Sequence, residues 1–216
     1  MSIINNIKII KDKIPNYVNL IAVSKTKSCD DIMQVYNTGH INFGENKVQE
    51  LIKKQKVLPK DINWHMIGHL QRNKVKSIAP FIYLIHGVDS LRLLIEINKR
   101  AFENNRIIDC LIQINISNEK NKFGINIKDF KIIYDKASNL KNIKIKGIMG
   151  MATYSKNKNK IKEEFKKLNN LFNKFKNKEL NILSMGMSND YEIAMDEGSN
   201  MIRFGSSIFG SRENKV

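Results

Sequence analysis

The stretch ILSMGMSNDYEIAMDEGSNMIRFGSSIF, residues 182–209, holds one complete unit of a parallel sheet. Ile182–Met185 is a short apolar run of strand length, and Gly186–Asp190 is small and polar in the manner of a turn. DYEIAMDEG reads as a helix, with Asp190 or Asn189 as its candidate cap, before a second apolar run at Met201–Phe204. A strand, a crossover helix and a second strand make a parallel pair, because parallel neighbours need a long connection.

The same alternation extends to the N-terminus. Apolar, β-rich runs recur at Asn19–Ser24, Ile41–Gly44, Ile62–Gly68, Ile82–Val88, Asp109–Ile116 and Ile143–Gly150, which brings the total to eight. Several are continuously hydrophobic, as expected of strands covered on both faces. Between them lie amphipathic segments. Ile161, Phe165, Leu168, Phe172 and Phe175 recur at helical spacing with lysines opposite; Leu91, Leu94, Ile95, Asn98 and Phe102 do the same behind a candidate cap at Ser90; Val48, Leu51, Ile52 and Gln55 form a shorter version. A further helix is expected around Ser2–Asp12. Eight β-α repeats predict an α/β protein: a single (β/α)8 TIM barrel with an extra N-terminal helix, one domain over residues 1–216. The sequence runs about a dozen residues beyond the last strand, so no second domain is expected.

Composition narrows the class. Two cysteines exclude a disulfide framework and point to a reducing compartment. The N-terminus is interrupted by Lys8, Lys11 and Lys13 and does not read as a signal peptide; no apolar run approaches the ~18 residues of a membrane span. A cytoplasmic protein with no membrane partner is expected. The 37 basic and 21 acidic residues give a net charge of +16, but the lysines are spread along the chain among asparagine and isoleucine, without a nucleic-acid motif or an aromatic platform. That pattern reads as compositional drift of the surface, and no nucleic-acid partner is expected.

In barrels of this kind chemistry sits at the C-terminal ends of the strands. The first strand ends in Ala22-Val23-Ser24-Lys25-Thr26. Lys25 follows directly on apolar residues, where desolvation disfavours the ammonium, and a neutral amine can form a Schiff base with an aldehyde. The position also fits a lysine that snorkels from the mouth or pairs with Glu45. On the other side of the mouth, the loops after strands seven and eight read Gly186-Met187-Ser188-Asn189-Asp190 and Gly205-Ser206-Ser207. Small residues let backbone N–H groups approach an anion, and Ser188 and Ser206 add hydroxyl donors. Either loop alone also fits an ordinary tight turn. An amine and an anion cradle in one mouth, with Arg203 beside the cradle, suit a phosphorylated aldehyde.

The blocks AVSKTK, FGENKVQE, WHMIGHLQRNK, HGVDS, GIMGMAT and MGMSNDYEIAMDEGSNMIRFGSSIFG, in order from about residue 20 to 212, resemble the signature blocks of the pyridoxal phosphate homeostasis protein family. The resemblance implies a barrel similar to the N-terminal domain of alanine racemase, binding pyridoxal 5′-phosphate (PLP) covalently on Lys25. It implies Asn46 close to the cofactor, Met66 and Ile67 near its ring, Ser188 with the backbone of Gly205 and Ser206 at its phosphate, and Arg203 at its pyridine nitrogen. Departures are few: HGVDS stands for the commoner HSVDS, Lys47 for tyrosine and Met66 for phenylalanine.

The function expected is that of a monomeric PLP carrier or buffer in vitamin B6 homeostasis, with PLP-dependent apoenzymes as its recipients and no dedicated catalysis. A fixed cation at the pyridine nitrogen disfavours protonation there and weakens the ring as an electron sink. A slow PLP-dependent amino-acid racemase or lyase is the alternative, and an RNA-binding basic surface a third reading. His65 and His69 are four apart but on a strand end, a poor arrangement for zinc; Cys29 reads as a helix-start residue, Cys110 as core, and Tyr154 as part of a mobile loop.

Overall fold

A computed structural model of the chain describes residues 2–117 and 123–210. Strands β1 (Asn19–Val23), β2 (Asn42–Glu45), β3 (Asn63–Met66), β4 (Leu84–Val88), β5 (Ile108–Ile114), β6 (Ile143–Gly150), β7 (Ile182–Met187) and β8 (Met201–Phe204) are all parallel and close into a barrel in sequence order. β8 returns to β1 with Asn19 opposite Met201 and Ile21 opposite Arg203. The expected (β/α)8 barrel is therefore present, with each strand within two residues of its expected ends.

The helices around it are α1 (Ile3–Lys13), α2 (Cys29–Tyr36), α3 (Val48–Val57), α4 (Val75–Ile78), α5 (Leu91–Glu103), α6 (Phe130–Ala137), α7 (Lys158–Phe175), α8 (Tyr191–Asp196) and α9 (Ser206–Phe209). Their starts are written in local chemistry. The Ser28 hydroxyl accepts from the Asp31 N–H at 3.1 Å while the Asp31 carboxylate accepts from the Ser28 N–H at 3.2 Å, a reciprocal capping box for α2. Ser90 caps α5 through the Leu93 N–H, as its sequence suggests. On α7, Ile161, Phe165, Leu168 and Phe172 are buried, and each such side chain contributes about 1.5–3 kcal/mol by leaving water. The N-terminal helix α1 buries Ile7 and Ile10 in one cluster with Ile208 and Phe209 of α9, and the Asn6 amide donates to the Ile208 carbonyl at 3.0 Å.

One helical face differs from its sequence reading. α5 buries Leu93, Leu94, Ile97 and Ala101, whereas Ile95 and Phe102 are 50% and 68% exposed. The small Ala101 belongs to the packed stripe and the large Phe102 does not, so residue size misleads about the angle at which the helix meets the barrel.

Inside the barrel, Ile21, Leu84, Leu111, Met149 and Met201 form a separate apolar cluster, distinct from the larger ones that Ala22, Phe43, Trp64 and Phe204 share with the helices. Period-two alternation produces this division. It also fixes which residue at each strand end turns inward.

Candidate functional site

At the C-terminal ends of the strands lies a cavity of about 1120 Å³. Its walls come from the ends of the strands and the segments after them: β1 (Val23, Lys25–Lys27), β2 (Asn46), β3 (Ile67), β6 (Met151–Lys156), β7 (Met187–Asp190) and β8 (Arg203, Gly205, Ser206). Seven of the eight expected site residues, Lys25, Asn46, Ile67, Ser188, Arg203, Gly205 and Ser206, thus line one space. Met66 does not. Strand alternation turns it away from Ile67, and it is fully buried in the cluster shared with Phe43, Trp64, Val48 and Leu51.

The anion corner also sits differently from expectation. Because β8 is hydrogen-bonded to β1, the Gly205-Ser206 turn is next to Lys25 around the barrel and not across the mouth from it. Asp190 stands at the N-cap position of α8, but its carboxylate accepts from the Met187 N–H at 2.6 Å, within the preceding turn, and makes no cap bond to the helix. Burial pushes its pKa up, opposed by that N–H and by Arg203. Gly186, at φ +96°, turns the chain here, and a Cβ on it would lie 2.7 Å from the Ala194 Cβ. Gly68 has a similar role behind Asn46: a Cβ there would lie 2.4 Å from the Asn46 carbonyl oxygen, so only glycine lets the two loops approach this closely.

Lys25 itself is half-buried, and the next residue, Thr26, has φ +65°, a left-handed conformation uncommon for a β-branched residue. Asn46 presents a buried Oδ1 with no hydrogen-bond partner among the described residues. Glu45 is buried behind it and bound to Lys54 at 2.7 Å. Ser24 and Glu45 therefore share the outer, helix-facing side of the barrel, while Lys25 and Asn46 line its mouth.

Arg203 is 4% exposed; burial lowers its pKa to about 10, partly opposed by Asp190, so it stays protonated at neutral pH. It donates to the Ser184 hydroxyl and, at 3.3 Å, to the Gly150 carbonyl. Beyond Ser184 a buried polar chain crosses the barrel: Ser184 Oγ to His86 Nδ1 at 3.4 Å, His86 Nε2 to His65 Nδ1 at 3.0 Å, and His65 Nε2 to Asn42 Oδ1 at 3.4 Å. Its direction follows from its end. Arg203 has only donors, so Ser184 accepts from it and donates to His86 Nδ1; His86 then donates through Nε2 to His65 Nδ1, and His65 through Nε2 to the side-chain amide oxygen Oδ1 of Asn42. Both imidazoles are neutral, because desolvation holds His65 down at about 3 and His86 well below its ordinary value. His65 points into the barrel, towards another histidine; among the described residues no cluster suited to a metal is found.

Residues 1–213 match the family model described as alanine racemase, N-terminal domain, which defines the class of this barrel and its mouth. The solved structure of PipY from Synechococcus elongatus with PLP bound superposes with a TM-score of 0.88 at 31% identity, covering 97% of this chain and 100% of that one. The chain belongs to the family of pyridoxal phosphate homeostasis proteins, being 39% identical over 203 residues to the member from Aquifex aeolicus, across 92% of this chain and 89% of that protein. An alanine racemase of Clostridium difficile shares the fold, with a TM-score of 0.81 over 99% of this chain and 58% of its own at 14% identity. The fold and family expected from the sequence blocks are borne out. Among the described residues, no helix is long and apolar enough to cross a membrane.

Proposed function

We propose that this cavity binds PLP and that the chain holds and releases it as a carrier in vitamin B6 homeostasis. The observation that carries the reading is the convergence of Lys25, Arg203, Ser188 and the Gly205-Ser206 turn on one cavity. The residues fit the group. A cationic guanidinium, a lysine, hydroxyl donors beside small-residue turns and an unsatisfied Asn46 amide oxygen are the donors and acceptors a phosphorylated hydroxypyridine aldehyde calls for.

PLP supplies an aldehyde that condenses reversibly with a primary amine, and a ring whose electron-withdrawing power depends on protonation of its nitrogen. In this reading Lys25 provides the amine, Asn46 and Ile67 bound the ring, and Ser188 with the Gly205 and Ser206 backbone grips the phosphate. Arg203, oriented by Ser184 and the Gly150 carbonyl and still charged at neutral pH, would disfavour a proton at the ring nitrogen. That weakens the ring as an electron sink and so supports the carrier reading, a racemase with the same arrangement needing a second catalytic base besides the lysine. As a carrier the chain would act as a monomer and pass PLP to PLP-dependent apoenzymes. The curated relative's name and the PLP bound to PipY support it.

Titration with PLP tests it. The wild-type chain is expected to develop a new absorption band at one equivalent, and Lys25→Ala to lose that band and most of the affinity. An unchanged spectrum and affinity in Lys25→Ala, or rapid α-proton exchange of an amino acid by the loaded protein, would overturn it.

A further inference from the structure

The lysine expected to react is the middle residue of three, and both of its neighbours are gripped from behind the barrel. On the N-terminal side, the Ser24 hydroxyl donates to Glu45 Oε1 at 2.6 Å and the Ser24 carbonyl accepts from Lys54 Nζ at 2.8 Å. On the C-terminal side, the Thr26 N–H donates to Glu50 Oε1 at 2.6 Å. The two grips are one object, because Lys54 Nζ bonds to Glu45 Oε1 and Glu50 Oε1, each at 2.7 Å. Glu45 comes from the end of β2, and Glu50 and Lys54 are one turn apart on α3, so the clamp ties β1 to the next βα unit.

Such an arrangement is costly to build. Lys54 and Glu45 have side chains 6% and 0% exposed, and a hydrophobic pair of similar volume often serves stability equally well. Thr26 adds strain, since a left-handed threonine is disfavoured by about 1–3 kcal/mol unless its surroundings hold it. Buried charge and backbone strain thus meet at the two peptide units that flank Lys25. Ordinary βα packing requires neither.

The geometry points to Glu45, Glu50 and Lys54 as positioning residues that fix the backbone on both sides of Lys25 and thereby aim its amine into the cavity. None of the three lines the cavity. They act through Ser24 and Thr26, and their effect falls on condensation, in which the Lys25 amine adds to the aldehyde carbon and the aldehyde oxygen leaves as water, and not on recognition of the ring or phosphate. The inference rests on the PLP reading above.

Glu50 is the position to change, because its side chain is 23% exposed and its removal leaves the Glu45–Lys54 pair intact. Two ligands are compared on the full chain: PLP, followed by absorbance in stopped flow, and 4′-deoxypyridoxine 5′-phosphate, which keeps the ring and phosphate but has no aldehyde. Glu50→Ala is expected to slow condensation with PLP by about tenfold, the scale of a misaimed reacting group, with the affinity for the deoxy analogue within twofold of wild type. Glu50→Gln keeps an acceptor for the Thr26 N–H and is expected to restore the rate. Condensation in Glu50→Ala at the wild-type rate, a parallel loss of analogue affinity, or no rescue by Gln would each overturn the clamp. Failure of the underlying reading is distinguishable, since wild type itself would then show no condensation at Lys25.

Discussion

Replacing Lys54 by methionine removes the cation at the centre of the clamp while nearly preserving its volume. In the wild type that ammonium makes three hydrogen bonds, to Ser24 O, Glu45 Oε1 and Glu50 Oε1. Glu45, whose side chain is fully buried and whose Oε2 already lacks a partner, would keep only the Ser24 hydroxyl and be left as a buried carboxylate without a counter-ion. Breaking a buried pair from one side destabilises by about 3–5 kcal/mol, which in a chain of this size corresponds to a Tm lowered by roughly 6–20 °C. The pH dependence has a definite sign. Burial already raises the Glu45 pKa, and Lys54 is the main influence pulling it back, so the variant's carboxyl rises further. A folded-state pKa raised above the unfolded value contributes stability below the unfolded value and loses it as pH climbs through the folded one. The deficit of Lys54→Met relative to wild type should therefore be largest near pH 8 and shrink towards pH 5, as protonation removes the unpaired charge. Thermal melts of both proteins across that range test it, with Glu45→Gln/Lys54→Met expected to recover about half of the loss. A Tm within 2 °C of wild type throughout, or a deficit that grows on acidification, would refute the reasoning.

Three buried histidines predict a second pH effect of opposite origin. Desolvation holds His40 at about 4, His65 at about 3 and His86 well below its ordinary value, so unfolding takes up protons once the pH falls below about 6.5. Depressed pKa values contribute stability that is present above the unfolded value and lost on the way down. Urea midpoints should drop steeply from pH 6.5 to 5, approaching about 4 kcal/mol per pH unit if all three contribute, and a flat profile would contradict the buried chain. Ser184→Ala removes the joint between Arg203 and His86, leaving a buried donor and a buried acceptor unmatched; a loss of about 1–3 kcal/mol in urea unfolding is expected, and an unchanged midpoint would argue against the chain as drawn. Cys110 is fully buried with its thiol pKa pushed far up, whereas Cys29 is half-buried at the start of α2. A thiol reagent should therefore modify the native protein at Cys29 alone, and labelling of Cys110 without denaturant would be contrary.

Most of the barrel was legible because buried parallel strands are apolar runs, and Ile143–Gly150 and Met201–Phe204 fall on their observed bounds. The short helices were harder. α4 spans four residues and α6 eight, too few turns for a periodic pattern to emerge, while α2 carried a readable signal in Ser28 and Asp31. At the site, Lys25, Ser188 and Gly205 could be named because position after a strand is a one-dimensional property. Met66 and Ile67 share one sequence block, but adjacent strand residues face opposite sides, so only Ile67 reaches the cavity. Lys54 carries almost no signal in the sequence: among 37 basic residues its only mark is Glu50 four positions earlier, a spacing equally common on solvated helices. The histidine chain depends on registers among β2, β3, β4, β7 and β8, which no local pattern encodes.

The central claim is that one lysine of this chain captures the PLP aldehyde. Borohydride reduction of the protein with one equivalent of PLP, followed by proteolysis and mass spectrometry, reads it directly. A pyridoxyl phosphate mass on the peptide containing Lys25, at near-full occupancy and absent elsewhere, is the result expected. A label spread over surface lysines, with Lys25 unmodified, would contradict it.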